Sequence, residues 1–316
     1  MTQNVVYGPV PSRRLGRSLG VDLVPYKICS YDCIYCQIGR TPKPTMERKP
    51  YVPAEKVVRQ VLEKLEQGVR ADYITLGGSG EPTLNSDIAE IIARIQAATP
   101  VPVAVLTNGS MFMQADVRQA LKAADAVLPS FDAPDADIFQ RINRPCPKIE
   151  FAAMAEGMVR FRQEYAGPIW LEIFLIDGIN TSDAAIEGFK HWMGRIRPDR
   201  IHLNTAVRPT AESDVLRPSD DQLIRVRDML GERAEIVVAY QGESCVTGGR
   251  KSLQADLVDL LSRRPCTLSD IARGLDTHPH EILKYLEPLV ASGEIEMVRR
   301  EDGAYYQKKI ADGNSV

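Results

Sequence analysis

Apolar and polar positions alternate along this chain in a repeating order. The run Leu19-Gly20-Val21-Asp22-Leu23-Val24 predicts a strand, and Val57, Val58, Val61, Leu62 and Leu65 share one face of a helix predicted over 54–67. The order then recurs. A buried run at 72–77 precedes a helix over 86–98, 101–106 precedes 114–123, and 126–129 precedes 149–164. The longest run, 168–176, precedes 183–195, and 200–203 precedes a helix opened by the capping box Ser219-x-x-Gln222. Residues 236–240 add a candidate seventh strand at the edge. Residues 7–18, rich in Pro, Gly and Arg, are predicted as a loop, and 40–53, with Pro42, Pro44, Pro50 and Pro53, as another.

Six strand–helix units in succession imply parallel strands with right-handed crossovers. Periodicity alone leaves two closures, an open doubly wound sheet or a curled (β/α) barrel. Polar residues follow almost every predicted strand: the cysteines from Cys29 to Cys36, then Gly80 and Glu81, Asn108, Ser130 and Asp132, Asp177 and Asn180, and Asn204. In a barrel all those ends share one mouth, whereas in an open sheet only the loops at the switch point meet.

Beyond Gly248-Gly249-Arg250-Lys251 the pattern changes to three helices, near 253–261, 267–274 and 280–291, and a hairpin around Glu301-Asp302-Gly303. The spacing resembles a winged helix, so two domains are expected, 1–248 and 249–316. Over 251–311 there are nine basic and ten acidic residues, with Arg299, Arg300, Lys308 and Lys309 as the local basic patch. A surface that tracks phosphates is basic, so DNA is not the expected partner. Docking of a substrate, a protein or the barrel itself is the better expectation.

Composition narrows the class. The 316 residues are 44% hydrophobic and 26% charged, with net charge −3. No apolar run approaches the ~18 residues of a membrane span, and no signal-peptide pattern opens the chain, so a cytoplasmic protein with no membrane partner is expected.

The candidate chemistry begins with Cys29-Ser30-Tyr31-Asp32-Cys33-Ile34-Tyr35-Cys36, three of the six cysteines in a C-x3-C-x2-C spacing. Structural zinc takes four ligands, commonly in two spaced pairs, and no second pair lies nearby. A disulfide disagrees with the expected compartment. A cubane iron–sulfur cluster usually takes four thiolates, so three leave one iron open for chemistry. The alternative is three buried, inert thiols. Further on, the loop Gly77-Gly78-Ser79-Gly80-Glu81-Pro82-Thr83 leaves a strand. Thr83 stands where a dinucleotide loop needs its third glycine, and the Gly-Lys-Ser/Thr ending of a phosphate loop is missing.

The cysteine spacing, with Tyr35 before the last cysteine, resembles the signature of radical S-adenosylmethionine (radical SAM) enzymes, and Gly78-Ser79-Gly80-Glu81-Pro82 resembles their Gly-Gly-Glu-Pro-type motif. The resemblance implies a partial six-stranded (β/α) barrel. It also implies a [4Fe-4S] cluster on Cys29, Cys33 and Cys36 whose open iron is chelated by the amino and carboxylate groups of SAM. Gly78, Ser79, Gly80, Glu81 and Pro82 would then meet the SAM amine, largely through carbonyls, with Glu81 adding charge or bracing the loop. By the same resemblance Tyr35 meets the adenine through its backbone, Ser130 and Asp132 hold the ribose or carboxylate, and Gly178 and Ile179 abut the adenine. Asn108 borders the same mouth. For Ser130 and Asp132 the plain alternative is a helix cap.

The lead-in from Gly8 to Cys36, with Pro11-Ser12-Arg13-Arg14 and Gly16-Arg17-Ser18, resembles the subgroup related to the wybutosine-type tRNA-modifying oxidoreductases. Those relatives use a second cluster on N-terminal cysteines, and here no cysteine precedes Cys29. Arg13, Arg14, Arg17, Arg144 and Arg208 are candidate substrate residues, expected to form a basic rim for an anionic substrate (RNA, peptide or metabolite). Cys146 and Cys266 are expected to be inert. Cys245 is the candidate catalytic thiol, a hydrogen-atom donor or accessory ligand. An external flavodoxin- or ferredoxin-like electron donor is implied. The rival function is an iron–sulfur winged-helix regulator that senses redox state and does not need the Gly-x-Gly-Glu-Pro loop.

Overall fold

A computed structural model of the chain describes residues 4–207, 209–237, 253–275, 277, 279–300 and 303–309. Its main sheet begins with a hairpin, β1 (Val6–Ser12) antiparallel to β2 (Gly16–Asp22). This corrects the loop expected over 7–18. Pro9 and Pro11 mask the strand in the sequence, yet β1 is the edge strand, where a missing N–H is tolerated.

From β2 the order is β2, β3 (Tyr73–Gly77), β4 (Val103–Thr107) and β5 (Ala126–Pro129), all parallel. A second parallel set, β6 (Trp170–Leu175), β7 (Arg200–Thr205) and β8 (Ala234–Ile236), continues it through the bridges Val127–Ile169 and Ser130–Glu172. β8 pairs at the edge beside β7; of the seventh strand expected over 236–240, residues 238–240 lie outside the described residues.

The crossover helices are α1 (Ala54–Glu66), α2 (Ile88–Ala98), α3 (Ala115–Ala120), α5 (Phe151–Glu164), α6 (Asp183–Ile196) and α7 (Asp220–Leu230). The Ser219–Gln222 capping box opens α7 as its sequence predicts. An additional helix, α4 (Ala136–Asn143), lies between β5 and α5.

Alternate residues of each strand go to different places. Leu19, Val21, Ile74, Leu76, Val105, Leu171 and Ile173 point to the helices and are excluded from water. Ser18, Thr75, Leu106, Glu172, Phe174 and Asn204, on β2, β3, β4, β6 and β7, line one shared cavity. Neighbouring strands are about 4.8 Å apart, so a flat sheet would hold β2 and β6 too far apart to share it; the sheet curls around the cavity. Leu15, from the β1–β2 turn, packs inside against Ala104, Ala126 and Leu128.

After 252 the chain forms α8 (Leu253–Leu261), β9 (Cys266–Thr267), α9 (Leu268–Gly274), α10 (Pro279–Ala291) and the hairpin β10 (Ile295–Arg300) and β11 (Gly303–Lys308), with sheet order β10-β11-β9. This unit has its own core around Leu257, Ile271, Ile282 and Leu286. It docks on the curled sheet. Arg263 Nε meets Asp22 Oδ2 at 2.8 Å, Tyr305 donates to Val207 O at 2.7 Å, and Lys64 lies 3.6 Å from Asp256. The boundary expected at 248/249 lies outside the described residues. No helix among the described residues is long and apolar enough to cross a membrane.

Candidate functional site

The cysteine loop leaves β2 at Asp22 and is pinned from two sides. On one side it zips to the glycine loop after β3: Lys27 N donates to Ser79 O at 2.7 Å and Glu81 N to Ile28 O at 3.0 Å. This approach requires glycine at 80, where a Cβ would lie 2.0 Å from Ile28 O. On the other side the end of α4 receives it. Asp32 N donates to Asn143 O at 3.0 Å, Ile34 N to Ile142 O at 2.9 Å, and Cys146 N returns a bond to Ser30 O at 2.8 Å.

Each of the three sulfurs meets a nitrogen donor. Asn108 Nδ2 is 3.5 Å from Cys29 Sγ, Asn143 Nδ2 is 3.5 Å from Cys33 Sγ, and Lys27 Nζ is 3.3 Å from Cys36 Sγ. Lys27 takes a left-handed backbone (φ 62°), which a non-glycine residue rarely adopts, and its Nζ also donates to Gly39 O at 2.5 Å. Burial pushes the Cys29 thiol up to about 12 and the Cys33 thiol well above its ordinary value. The ligating form is the thiolate, so three donors on partly buried sulfurs suit a site that a metal's charge completes.

Among the described residues no three His, Cys, Asp or Glu side chains are placed to share one metal ion. Structural zinc needs four ligands, and none of these side chains is grouped as such a set among the described residues, whereas a cubane takes three thiolates on three different irons.

Glu81 is fully buried and braces the loop. Its carboxylate accepts from Thr107 Oγ1 and Asn108 N, both at 2.7 Å, and from the amide and hydroxyl of Thr83. Burial raises its pKa, and these bonds oppose the rise. Pro82 opens the short turn Pro82–Leu84 that Glu81 caps. Gly78 and Gly80 line the cavity, while Ser79 N donates to Asp22 Oδ1 at 2.8 Å.

Asp132 is buried and held by partners within the protein. Its Oδ2 accepts from Tyr35 Oη at 2.5 Å and Asn143 Nδ2 at 3.0 Å, and its Oδ1 accepts from Phe174 N at 2.9 Å. It therefore fastens the cysteine loop to β6 and α4, and the cap of α4 is Asp135 instead. Burial lifts the Asp132 carboxyl to about 6. The Tyr35 ring stacks on Phe174 at 4.0 Å. Ser130 lies where β5 bridges Glu172. Gly178, at φ 69°, has open space where a Cβ would project, and Ile179 packs beside Tyr35 and Ile34.

The cavity holds about 370 Å³ and brings Cys29, Cys33 and Cys36 together with residues remote in sequence. Of the five candidate arginines, Arg13 and Arg14 line it, and Arg14 is paired inside with Glu172. Arg17 instead meets Asp72 at 2.8 Å, and Arg144 meets Glu212 at 2.6 Å, which Arg40 also contacts. Arg208 lies outside the described residues, as does Cys245. Of the basic rim expected from these five, the structure thus brings Arg13 and Arg14 to the cavity wall. Cys266 is fully buried in the C-terminal core, and Cys146 is a partly buried free thiol.

Sequence reasoning missed Lys27, Asn143, Glu172, Arg263 and Arg264. Lys27 lies within the loop that was read, and a cation two residues from Cys29 was a usable signal. Arg263 and Arg264 follow α8 and line the cavity beside Leu260, a contact without local trace.

A family model described as the Radical SAM superfamily matches residues 23–187. The chain is 35% identical over 292 residues to a Brachyspira hyodysenteriae protein named GTPase Obg, covering 92% of this chain and 43% of that protein. It is 32% identical over 297 residues to a UPF0026 protein of Helicobacter pylori, covering 92% and 93%. Among solved structures, a radical SAM methyltransferase from Sphaerobacter thermophilus shares the fold at TM-score 0.52 and 21% identity, over 69% of this chain and 65% of that one. The chain thus spans less than half of the first of these relatives.

Proposed function

This chain belongs to the radical SAM superfamily, and from that premise we propose that it is an enzyme that cleaves SAM reductively to start radical chemistry on an anionic substrate. Members of this superfamily bind a [4Fe-4S] cluster and SAM. Together these supply a 5′-deoxyadenosyl radical that takes hydrogen from substrate. The single observation that carries the reading is the cysteine loop, three partly buried cysteines whose sulfurs are each faced by a nitrogen donor, in a loop zipped to Gly78–Glu81 at the cavity wall.

The chain's own residues take these parts in the proposal. Cys29, Cys33 and Cys36 hold the cluster. Asn108, Asn143 and Lys27 offset the charge on the sulfurs. The carbonyls of the glycine loop receive the SAM amine, and Glu81 keeps that loop on the end of β4. The curled sheet is read as the partial (β/α)6 barrel of the superfamily, and residues 249–316 as a winged helix acting as its cover. An external flavodoxin- or ferredoxin-like protein supplies the electron. The subgroup related to wybutosine-type enzymes rests on the Gly8–Cys36 lead-in. GTP hydrolysis is not carried over from the Brachyspira relative's name, because Gly77–Thr83 lacks the Gly-Lys-Ser/Thr of a phosphate loop.

The test is anaerobic reconstitution with iron and sulfide, reduction, and incubation with SAM. Methionine and 5′-deoxyadenosine are expected in equal amounts; an intact, reduced cluster that yields neither would sink the reading.

A further inference from the structure

Inside a chain of net charge −3, the cavity wall is basic. Arg13, Arg14, Lys27, Arg263 and Arg264 line it against one carboxylate, Glu172. Most of this charge is engaged within the protein. Arg14 pairs with Glu172, Arg263 with Asp22, and Lys27 with Cys36 and Gly39 O. Arg264 differs: its Nη2 is buried and has no hydrogen-bond partner. Leaving a charged donor buried and unpaired is costly, and the neighbouring Tyr7 feels the charges of Arg263 and Arg264. Arg264 thus lines the cavity that opens onto the cysteine sulfurs, with one buried donor left unused.

We infer that Arg264 binds the phosphate or carboxylate group of a small-molecule substrate, so that the C-terminal unit selects what the cysteine site acts on. The inference rests on the functional reading above in one respect: there the SAM carboxylate is taken by the open iron, which leaves this arginine for a second anion. Size favours a small molecule. The cavity is about 370 Å³ in all and includes the cysteine site, so what remains beside Leu260, Arg263 and Arg264 suits at most a small molecule, whereas a polynucleotide needs an open basic track, and residues 251–311 carry more acidic than basic groups.

The experiment titrates the full chain calorimetrically with inorganic phosphate and, separately, malonate, and records the unfolding midpoint without either. At least one probe is expected to bind the wild type. Arg264→Gln should weaken that binding about tenfold, and Arg264→Lys should restore part of it. The ligand-free midpoint of Arg264→Gln should equal or exceed the wild type's, because a buried unpaired donor has been removed; a merely structural arginine would give a fall. Response to phosphate alone or malonate alone assigns the anion, and both outcomes support the inference. Binding of neither probe, binding unchanged by Arg264→Gln, or displacement of the bound probe by SAM would each overturn it. So would Arg264-dependent binding of a short single-stranded RNA in preference to both probes. Formation of 5′-deoxyadenosine by the wild type is scored separately. Its failure with Arg264-dependent anion binding intact would remove the reaction class and leave the anion site standing.

Discussion

Replacing Arg263 with glutamine tests whether one buried ion pair holds the C-terminal unit on the curled sheet. Arg263 Nε lies 2.8 Å from Asp22 Oδ2, and the two side chains are only 10% and 11% exposed. The guanidinium also lies over the Tyr7 ring at 4.1 Å and donates to Asn4 O at 3.2 Å. Removing one partner of a buried pair costs about 3–5 kcal/mol. Asp22 keeps the Ser79 N–H at 2.8 Å, and burial already raises its pKa despite the arginine. Without Arg263 it takes up a proton instead of staying charged, which holds the loss near about 3 kcal/mol. Urea denaturation of Arg263→Gln, Asp22→Asn and the double variant measures the pair. The two changes should be non-additive by about 2 kcal/mol. Limited proteolysis should cut faster near α8 in either single variant. Additive losses within about 0.5 kcal/mol, with unchanged proteolysis, would refute the docking argument.

Three further outcomes follow from the site. Alanine at Cys29, Cys33 or Cys36 should abolish the iron and sulfide bound after anaerobic reconstitution, while Cys146→Ala or Cys266→Ala should retain it; full iron content in any of the first three contradicts the ligand set. Gly80→Ala drives a Cβ to 2.0 Å from Ile28 O and should destabilise by about 1–3 kcal/mol and lower iron content, so normal iron loading and stability would show that the loops need not be zipped. Burial and Arg14 hold the His202 pKa below its ordinary value; the unfolded chain binds a proton below about pH 6.5 that the folded chain resists, so stability is lost as pH falls through that point. The unfolding midpoint should drop between pH 7.5 and 5.5, more in wild type than in His202→Gln, and equal slopes would count against this assignment.

Elements that announce themselves locally were legible. The strand–helix alternation, the Ser219 capping box and the three-cysteine loop each depend on residues a few positions apart. β1 was not, because Pro9 and Pro11 signal a break everywhere except at a sheet edge, and edge position is a property of the whole sheet. α4 was not, because eight residues of mixed polarity give too short a period to register. Asp132 shows a different limit. A carboxylate after a strand has the same sequence appearance whether it faces a ligand or ties Tyr35, Asn143 and Phe174 together, and its partners lie 97, 11 and 42 residues away. The Arg263–Asp22 pair spans 241 residues, beyond the reach of any window.

The chemistry proposed for the cysteine loop makes that long-range closure necessary. A reactive radical is productive only if the hydrogen it takes is held in one place and water is kept out. The cysteine loop cannot do this alone, since its own residues are occupied in holding the sulfurs. Leu15 fills one part of the space inside the curled sheet and Leu260, Arg263 and Arg264 wall another, so segments remote in sequence supply the enclosure. An anion fixed at Arg264 would then be oriented by a group far in sequence from the reacting centre, and its binding energy would go into positioning a C–H bond beside the sulfur-bound site. In that arrangement substrate choice can change with the residues after α8 while the cysteine and glycine loops stay as they are.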